Sequence, residues 1–447
     1  MQPVIDLPAT TSGRKQTTPQ RPGAAALQGT AGSTSEPAFS RTLIAAVFVL
    51  ALAGRFSLDR LGLSIHGVSD PRVAGCVFLV IAVLVWQVGR AARDEVQPMP
   101  GVVLLFSALI GFQLLSALWS PTGARLEQVS WDLVVLWVLV IATATFAAGD
   151  PRRAARVLLV LLLAAAILYA AKSFQEGPQG QGRYSAFGSG PNVFARVIAT
   201  GILANVTLAV VHRRKLLLLP LPILAPAAVL SGSRGALVSL VGAAVVFFLL
   251  FVRRRRLLYL TSTVIVGAVL AGTAWTLFGS DIATLVSGRY SLSGLEQTGF
   301  SDRPMLLSFA WSMFADHPLS GGGLDGFFAT YGIDYPHNYF LQVAAESGIA
   351  AVCLMVLIVV SWWRGGRPWS TTPKEQVGCA VVAIYVAFAS SFSGDYYDTR
   401  FLWIFAVAAV IRPREARPDP GNGLRSGRPA GTGYPSTTPV QSRGNVR

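Results

Sequence analysis

His337 opens a run, His337-Asn338-Tyr-Phe-Leu-Gln342-Val-Ala-Ala-Glu346-Ser-Gly348, that gathers polar side chains where a long polar loop gives way to an apolar stretch. An imidazole takes up a proton near neutral pH, which makes His337 the natural candidate base for a sugar hydroxyl. Pro336 disfavours a helical conformation at Tyr335, and a helix starting just after it puts Asn338, Gln342 and Glu346 at i, i+4 and i+8 on one face. A polar stripe at the mouth of a membrane helix is costly unless it faces a cavity or partner groups. The second group is cationic. Arg183 lies in Gly182-Arg183-Tyr-Ser-Ala-Phe-Gly188-Ser-Gly190-Pro191-Asn192, Arg196 follows one turn later, Arg234 stands in Ser231-Gly-Ser233-Arg234-Gly235, and Arg289 and Arg303 belong to a long loop. Several guanidinium groups at one membrane surface suit a diphosphate or another anion, because each planar fork can hold two oxygens. Gly188 and Gly190 would let backbone N–H groups approach the same anion. Snorkelling to lipid phosphates accounts equally well for Arg289, and Arg196 could equally belong to a structural ion pair.

The other chemistry-bearing residues point elsewhere. His212 sits in a basic cluster with Arg213, Arg214 and Lys215, His66 has no obvious partner, and His317 precedes Pro318 in a turn-like run. Metal chemistry has little support, since no outer segment carries an Asp-x-Asp pair or an HExxH helix. The spaced acids Asp395 and Asp398 could hold an ion, but loop acids near Arg400 explain them as well. There is no Gly-Lys-Ser/Thr phosphate loop and no dinucleotide fingerprint, which argues against a nucleotide-driven machine and against a nucleotide cofactor. Cys76, Cys353 and Cys379 all lie in apolar runs with neither disulfide nor zinc spacing.

The elements that must position these groups follow from composition. Of 447 residues, 52% are hydrophobic and only 13% are charged, and the mean hydropathy is +0.52. A soluble domain carries about 25% charged residues, so the fold class expected is an all-α polytopic membrane protein. The net charge of +15 raises nucleic acid as a partner. The basic residues instead fall in short clusters between apolar runs, which is the positive-inside pattern and excludes that partner. Twelve spans are expected, near 42–54, 73–89, 101–118, 132–148, 155–172, 192–211, 215–230, 235–252, 257–278, 339–361, 377–393 and 400–411, with the seventh kinked or broken by Pro220, Pro222 and Pro226. With the N-terminus in the cytoplasm, the inner loops hold fifteen Lys and Arg and the outer segments ten, so both tails (1–40 and 412–447, polar and expected to be disordered) are assigned to the cytoplasm. Arg183, Arg234, Arg303 and His337 then share the outer face. Two outer loops stand out, near 173–191 and 279–338, and the second is expected to include short surface helices.

Taken as a set, Arg183…Gly188…Pro191-Asn192, Ser233-Arg234-Gly235, Asp302-Arg303, Pro318-Leu-Ser-Gly321-Gly-Gly323 and His337-Asn338-Tyr-Phe-Leu-Gln342…Glu346-Ser-Gly348 resemble the O-antigen ligase and O-antigen polymerase-like membrane protein superfamily, over roughly residues 40–411. The resemblance implies a twelve-helix bundle related to the C-type glycosyltransferases, with a long extracytoplasmic loop. It implies a donor glycan on undecaprenyl diphosphate at the outer face of the cytoplasmic membrane, and transfer to a glycan or glycolipid hydroxyl without a metal or other cofactor. On that resemblance Arg183, Arg234 and Arg303 hold the diphosphate and His337 is the base or orienter for the acceptor. Asn192, Arg196, Asn338, Gln342 and Glu346 shape the cavity. A polymerase of lipid-linked repeat units and a transporter of lipid-linked glycan or small anion remain alternatives. The charges collect at the outer ends of spans and no internal repeat is visible, both of which weigh against the transporter.

Overall fold

The computed structural model of the protein describes residues 36–54, 71–93, 95, 98–251, 272, 275–276, 278–284, 287, 303–366 and 368–412. Most of both tails, His66, Arg253 to Arg256, Arg289 and most of the span expected near 257–278 lie outside the described residues.

Helices dominate. In chain order they are α1 (Glu36–Ala53), α2 (Pro71–Ala91), α3 (Gly101–Leu115), α4 (Leu126–Ala147), α5 (Pro151–Glu176), α6 (Pro191–His212), α7 (Leu221–Leu230), α8 (Arg234–Phe251), α9 (Arg303–Asp316), α10 (Gly326–Tyr331), α11 (Tyr339–Gly365), α12 (Lys374–Ser390) and α13 (Arg400–Val410). No strand occurs among the described residues; there is one isolated antiparallel bridge, Gln179 with Arg183. Six helical stretches, not twelve, are long and apolar enough among the described residues to cross a bilayer: Arg72–Ala91, Gly101–Trp119, Leu126–Ala147, Pro151–Glu176, Pro191–His212 and Tyr339–Gly365. The shortfall has local causes. Pro220 ends the turn before α7 and Pro226 sits within it, leaving a 10-residue helix. The final helix, α13, has 11 residues, too few to span about 30 Å unaided. α1 begins at Glu36, ahead of the boundary expected near 42, and Phe39 stacks on Trp86 with ring centroids 6.0 Å apart.

Small residues bring α6 into the middle of the bundle. A Cβ on Gly201 would lie 2.0 Å from the Cβ of Ala166 on α5, and one on Gly378 of α12 would lie 2.2 Å from the Thr207 methyl. Close backbone approach of this kind is how helices associate where no hydrophobic driving force separates them from lipid. Charged ties close the rims. Arg72 of α2 meets Asp132 of α4 at 2.6 Å, and Arg152 and Arg156 of α5 both reach Glu375 of α12, at 3.0 and 2.6 Å.

α11 is interrupted. Gly348 has φ 66° and ψ −165°, which only glycine adopts readily. The backbone groups freed by the break are not orphaned. Gly322 N donates to Ala345 O at 2.8 Å, Gly323 N to Glu346 O at 2.9 Å, and Ile349 N to Pro318 O at 2.8 Å. The Pro318–Gly323 turn fits because its last three residues, Gly321 to Gly323, lack side chains; a Cβ on Gly321 would lie 2.3 Å from the Glu346 carbonyl carbon. The break divides α11 by environment. Ahead of it Gln342, Glu346 and Ser347 are buried, and beyond it Ile349, Val356, Leu357, Val359 and Val360 are exposed, as a lipid-facing helix requires.

Candidate functional site

Three turns converge at one end of the bundle. The first precedes α6. Tyr184 N donates to Leu230 O at 2.9 Å, and the Tyr184 hydroxyl donates to Asp281 at 2.8 Å. That anchorage sets Arg183 against the α7–α8 turn, where its Nε donates to Ser231 O at 2.9 Å and an Nη donates to Asn192 Oδ1 at 3.2 Å. The second turn is Ser231–Ser233. Gly232 has φ +63°, and a Cβ there would press on Arg183 at 3.2 Å. Ser233 Oγ donates to Asn192 Oδ1 at 3.1 Å, and Arg234 begins α8. The third turn follows α12. Arg196 donates to Ser393 O and pairs with Asp398 at 3.3 Å, Asp398 lies 3.6 Å from Arg400, and Gly394 leaves the room that the Arg196 guanidinium occupies.

Together these turns border a cleft of ≈ 90 Å³ whose lining includes Arg183, Asn192, Arg196, Ser233, Arg234 and Arg303. The three arginines singled out in the sequence thus come from separate elements into one concavity. Arg234 and Arg303 are the first residues of α8 and α9, and Asn192 lies in the first turn of α6, so three helix N-termini also point partial positive charge toward it. Arg303 is held below its ordinary value, first by lost hydration and then by the charge of Arg234. Among the described residues no carboxylate lies within ion-pair reach of Arg303. Like charges gathered in a concave, partly dehydrated site are the electrostatic signature of a place for an anion.

His337 stands beside the cleft. It adopts a left-handed backbone with φ 58°, and its ring meets the Tyr335 ring edge-on at 4.8 Å. Burial holds its pKa below the usual 6.5, and the charges of Arg303 and Arg196 lower it further. The imidazole is therefore neutral at neutral pH, and its buried Nδ1 has no hydrogen-bond partner among the described residues. Tyr335 behaves in the opposite sense. Burial, with Asp398 and Asp395 nearby, pushes its phenol up to about 12, so it stays protonated and can donate.

The polar stripe lies elsewhere than in the cleft lining. Asn338 caps α11, accepting from Leu341 N at 3.1 Å. Gln342 and Glu346 do share a face, with Gln342 donating to Glu346 at 3.4 Å, but both are buried. Glu346 also accepts from the Tyr396 hydroxyl and from Phe327 N at 3.4 Å, so it joins α10, α11 and the third turn behind His337. Gly188 and Gly190 form the entry to α6 and are not among the cleft residues; Gly232 and Gly235 are. Sequence reasoning missed Tyr335, Ser393 and the Asp398 partner of Arg196. Tyr335 is two residues from His337, whereas nothing in the spacing links residues 393–398 to Arg196. No three-residue cluster suited to a metal occurs among the described residues.

Fold and cleft define a multi-pass helical membrane protein with a cationic, histidine-flanked site at one end of its bundle. The family model described as O-antigen ligase matches residues 219–356, so this segment of the chain is similar to that family. The matched segment contains Arg234, Arg303, His337, Asn338, Gln342 and Glu346, while Arg183, Asn192 and Arg196 precede it. No curated protein and no solved structure matches the chain.

Proposed function

We propose that the protein is a membrane glycosyltransferase that moves a glycan from a polyprenyl diphosphate, of the undecaprenyl type, to an acceptor hydroxyl at the outer face of the cytoplasmic membrane, with both termini in the cytoplasm. The observation that carries this reading is the convergence of Arg183, Arg234 and Arg303 on one cleft beside a neutral His337. The O-antigen ligase match over residues 219–356 supports it.

In this mechanism the arginine forks take the diphosphate oxygens, assisted by the α6, α8 and α9 N-termini. The acceptor hydroxyl lies against His337. As its oxygen bonds to the anomeric carbon, the bond from that carbon to the phosphate oxygen breaks and its electron pair leaves with the diphosphate. The hydroxyl proton passes to the imidazole. Charge developing on the leaving group meets cations already fixed in place, which stabilise it more than water would. Arg196, tied to Asp398 and Ser393, fixes the cleft wall rather than the leaving group, and Tyr335 offers a donor to the sugar or phosphate. The acceptor is a glycan or glycolipid, and a second lipid-linked repeat unit would make the same chemistry a polymerase.

The test is transfer by purified protein in liposomes supplied with a lipid-diphosphate glycan and candidate acceptors. Wild-type protein should form a new glycosidic bond and release polyprenyl diphosphate. His337→Ala should lose about 10²–10⁴-fold in rate, the usual range for a positioned acid–base group. Flux of the lipid-linked glycan across sealed vesicles with no new bond would overturn the reading in favour of transport.

A further inference from the structure

We infer that Arg125, from the loop between α3 and α4, is a positioning residue for His337, acting as a staple across the segment that presents the imidazole. This rests on the reading of His337 given above. Arg125 lies outside the family match.

The geometry is specific. The Arg125 backbone N–H donates to Asp325 Oδ2 at 2.8 Å, and its guanidinium engages the same carboxylate through Nε at 3.0 Å and Nη2 at 3.1 Å. Nη1 meanwhile reaches Asp334 at 2.6 Å, and the guanidinium lies 3.5 Å above the Phe328 ring centroid. Asp325 precedes α10 and Asp334 follows it, so one guanidinium ties both ends of α10. From Asp334 only Tyr335 and Pro336 intervene before His337. The loop that carries Arg125 is itself seated on the same turn. Ser120 Oγ donates to Leu324 O at 2.8 Å and Trp119 Nε1 to Ser320 O at 3.2 Å, and a Cβ on Gly323 would lie 2.5 Å from Ser120 Cα.

The two carboxylates differ in a way that makes the inference testable. Asp325 is buried with a left-handed backbone, so disturbing it disturbs the fold. The Asp334 side chain is 69% exposed, and ordinarily an exposed ion pair contributes little to stability. A residue that matters for geometry and not for folding should therefore reveal itself at Asp334. Misplacement of a reacting group by about 1 Å can cost on the order of 100-fold in rate.

The experiment compares wild type, Asp334→Asn and Arg125→Ala in the liposome transfer assay. It adds the rate at which diethyl pyrocarbonate modifies His337 in a protein whose other three histidines, His66, His212 and His317, are replaced by Gln. Asp334→Asn should keep the wild-type thermal midpoint, lower kcat about ten-fold, leave KM for the donor within about two-fold, and speed His337 modification several-fold. Arg125→Ala should lower the thermal midpoint, because it removes the ion pair of the buried Asp325, and should lower kcat per folded molecule on the order of 100-fold, with His337 modification speeded beyond that in Asp334→Asn. The acid limb of the pH–rate profile should move upward in both, as His337 gains water and draws away from Arg303 and Arg196. Unchanged kcat and unchanged modification in Asp334→Asn would overturn the staple. Wild-type protein without transferase activity would instead remove the functional reading, while the modification rates would still report whether Arg125 holds His337.

Discussion

Arg72 and Arg303 are the same residue type, and the sequence assigns both to the outer side of the membrane, yet the structure uses them in opposite ways. The Arg72 fork meets the buried Asp132 carboxylate at 2.6 Å and lies 5.2 Å from the Tyr397 ring centroid. Arg303 lies among cations, lowered by lost hydration and by Arg234, and has no carboxylate within reach among the described residues. A guanidinium matched by a buried carboxylate holds elements together. One gathered with its own kind in a concave site is, on the function proposed above, a binding group for an anion from outside the chain. Arg125 and Arg196 likewise close on aspartates.

The largest expected effects break this comparison if they fail. Arg303→Ala should lower turnover by about 10²–10³-fold, the cost of losing one preorganised stabiliser of developing charge, and leave thermal stability unchanged or raised because a like-charge contact with Arg234 disappears. Arg72→Ala should do the reverse. It removes the 2.6 Å Arg72 ion pair from the buried Asp132, so folding stability should fall by up to about 3–5 kcal/mol, with turnover per folded molecule nearly unchanged. Detergent thermal midpoints measured beside turnover normalised to folded protein separate the two. A stability loss in Arg303→Ala as large as that in Arg72→Ala would make both structural.

A smaller effect sharpens the same contrast through pH. His337 is held below the usual 6.5 by burial and by two neighbouring positive charges. The base form therefore persists at lower pH than in a free histidine, and the acid limb of kcat/KM should inflect below 6.5. Removing a positive neighbour eases protonation, so the inflection should rise in Arg303→Ala, if only by a fraction of a unit, and should not move in Arg72→Ala. The linked stability term has the opposite appearance. A group whose folded value is depressed costs nothing at high pH, and as pH falls below the unfolded value the unfolded chain binds the proton first, so stability declines toward acid.

How much of this was legible in the sequence depends on range. Helical class, the broken seventh span and a helix starting shortly after Pro336 come from local rules: apolar runs, Pro220 to Pro226, and the proline itself. The convergence of Arg183, Arg234 and Arg303 was reachable because each stands against the positive-inside trend at the same end of its span. The partners were not legible. Nothing local to Arg196 announces Asp398, and nothing local to Arg125 announces Asp325 and Asp334, because packing of distant helices decides which acid neutralises which cation. Glu346 misled for the same reason. Of the expected stripe, Asn338 is the cap outside the helix while Gln342 and Glu346 share a face, and Glu346 meets Tyr396 and Phe327 N. Of the twelve expected crossings, six are long and apolar enough among the described residues, and hydropathy alone does not register where proline or a short helix interrupts the others.

The smallest effect concerns backbone, and it tests whether the polar and apolar halves of α11 differ by design of the break between them. Two glycines make the comparison. Gly111 lies within α3 with nothing within 4 Å of the position a Cβ would take, so Gly111→Ala should leave the thermal midpoint unchanged or raise it by the equivalent of about 0.5–1 kcal/mol through helix propensity. Gly348 has φ +66°, and a Cβ there would lie 2.4 Å from Leu319 O. Gly348→Ala should therefore cost about 1–3 kcal/mol in backbone strain, and the Pro318–Gly323 turn must shift to relieve it. That turn links α9, which begins at Arg303, to α10, which leads to His337, so the shift reaches both sides of the cleft. Turnover in Gly348→Ala should fall further than the loss of folded protein explains, whereas in Gly111→Ala the two should stay in step. A Gly348→Ala protein with wild-type turnover and stability would mean that α11 runs straight, and that Gln342 and Glu346 are not set apart from the lipid-facing half in the way the hydrogen bonds from Gly322 and Gly323 require.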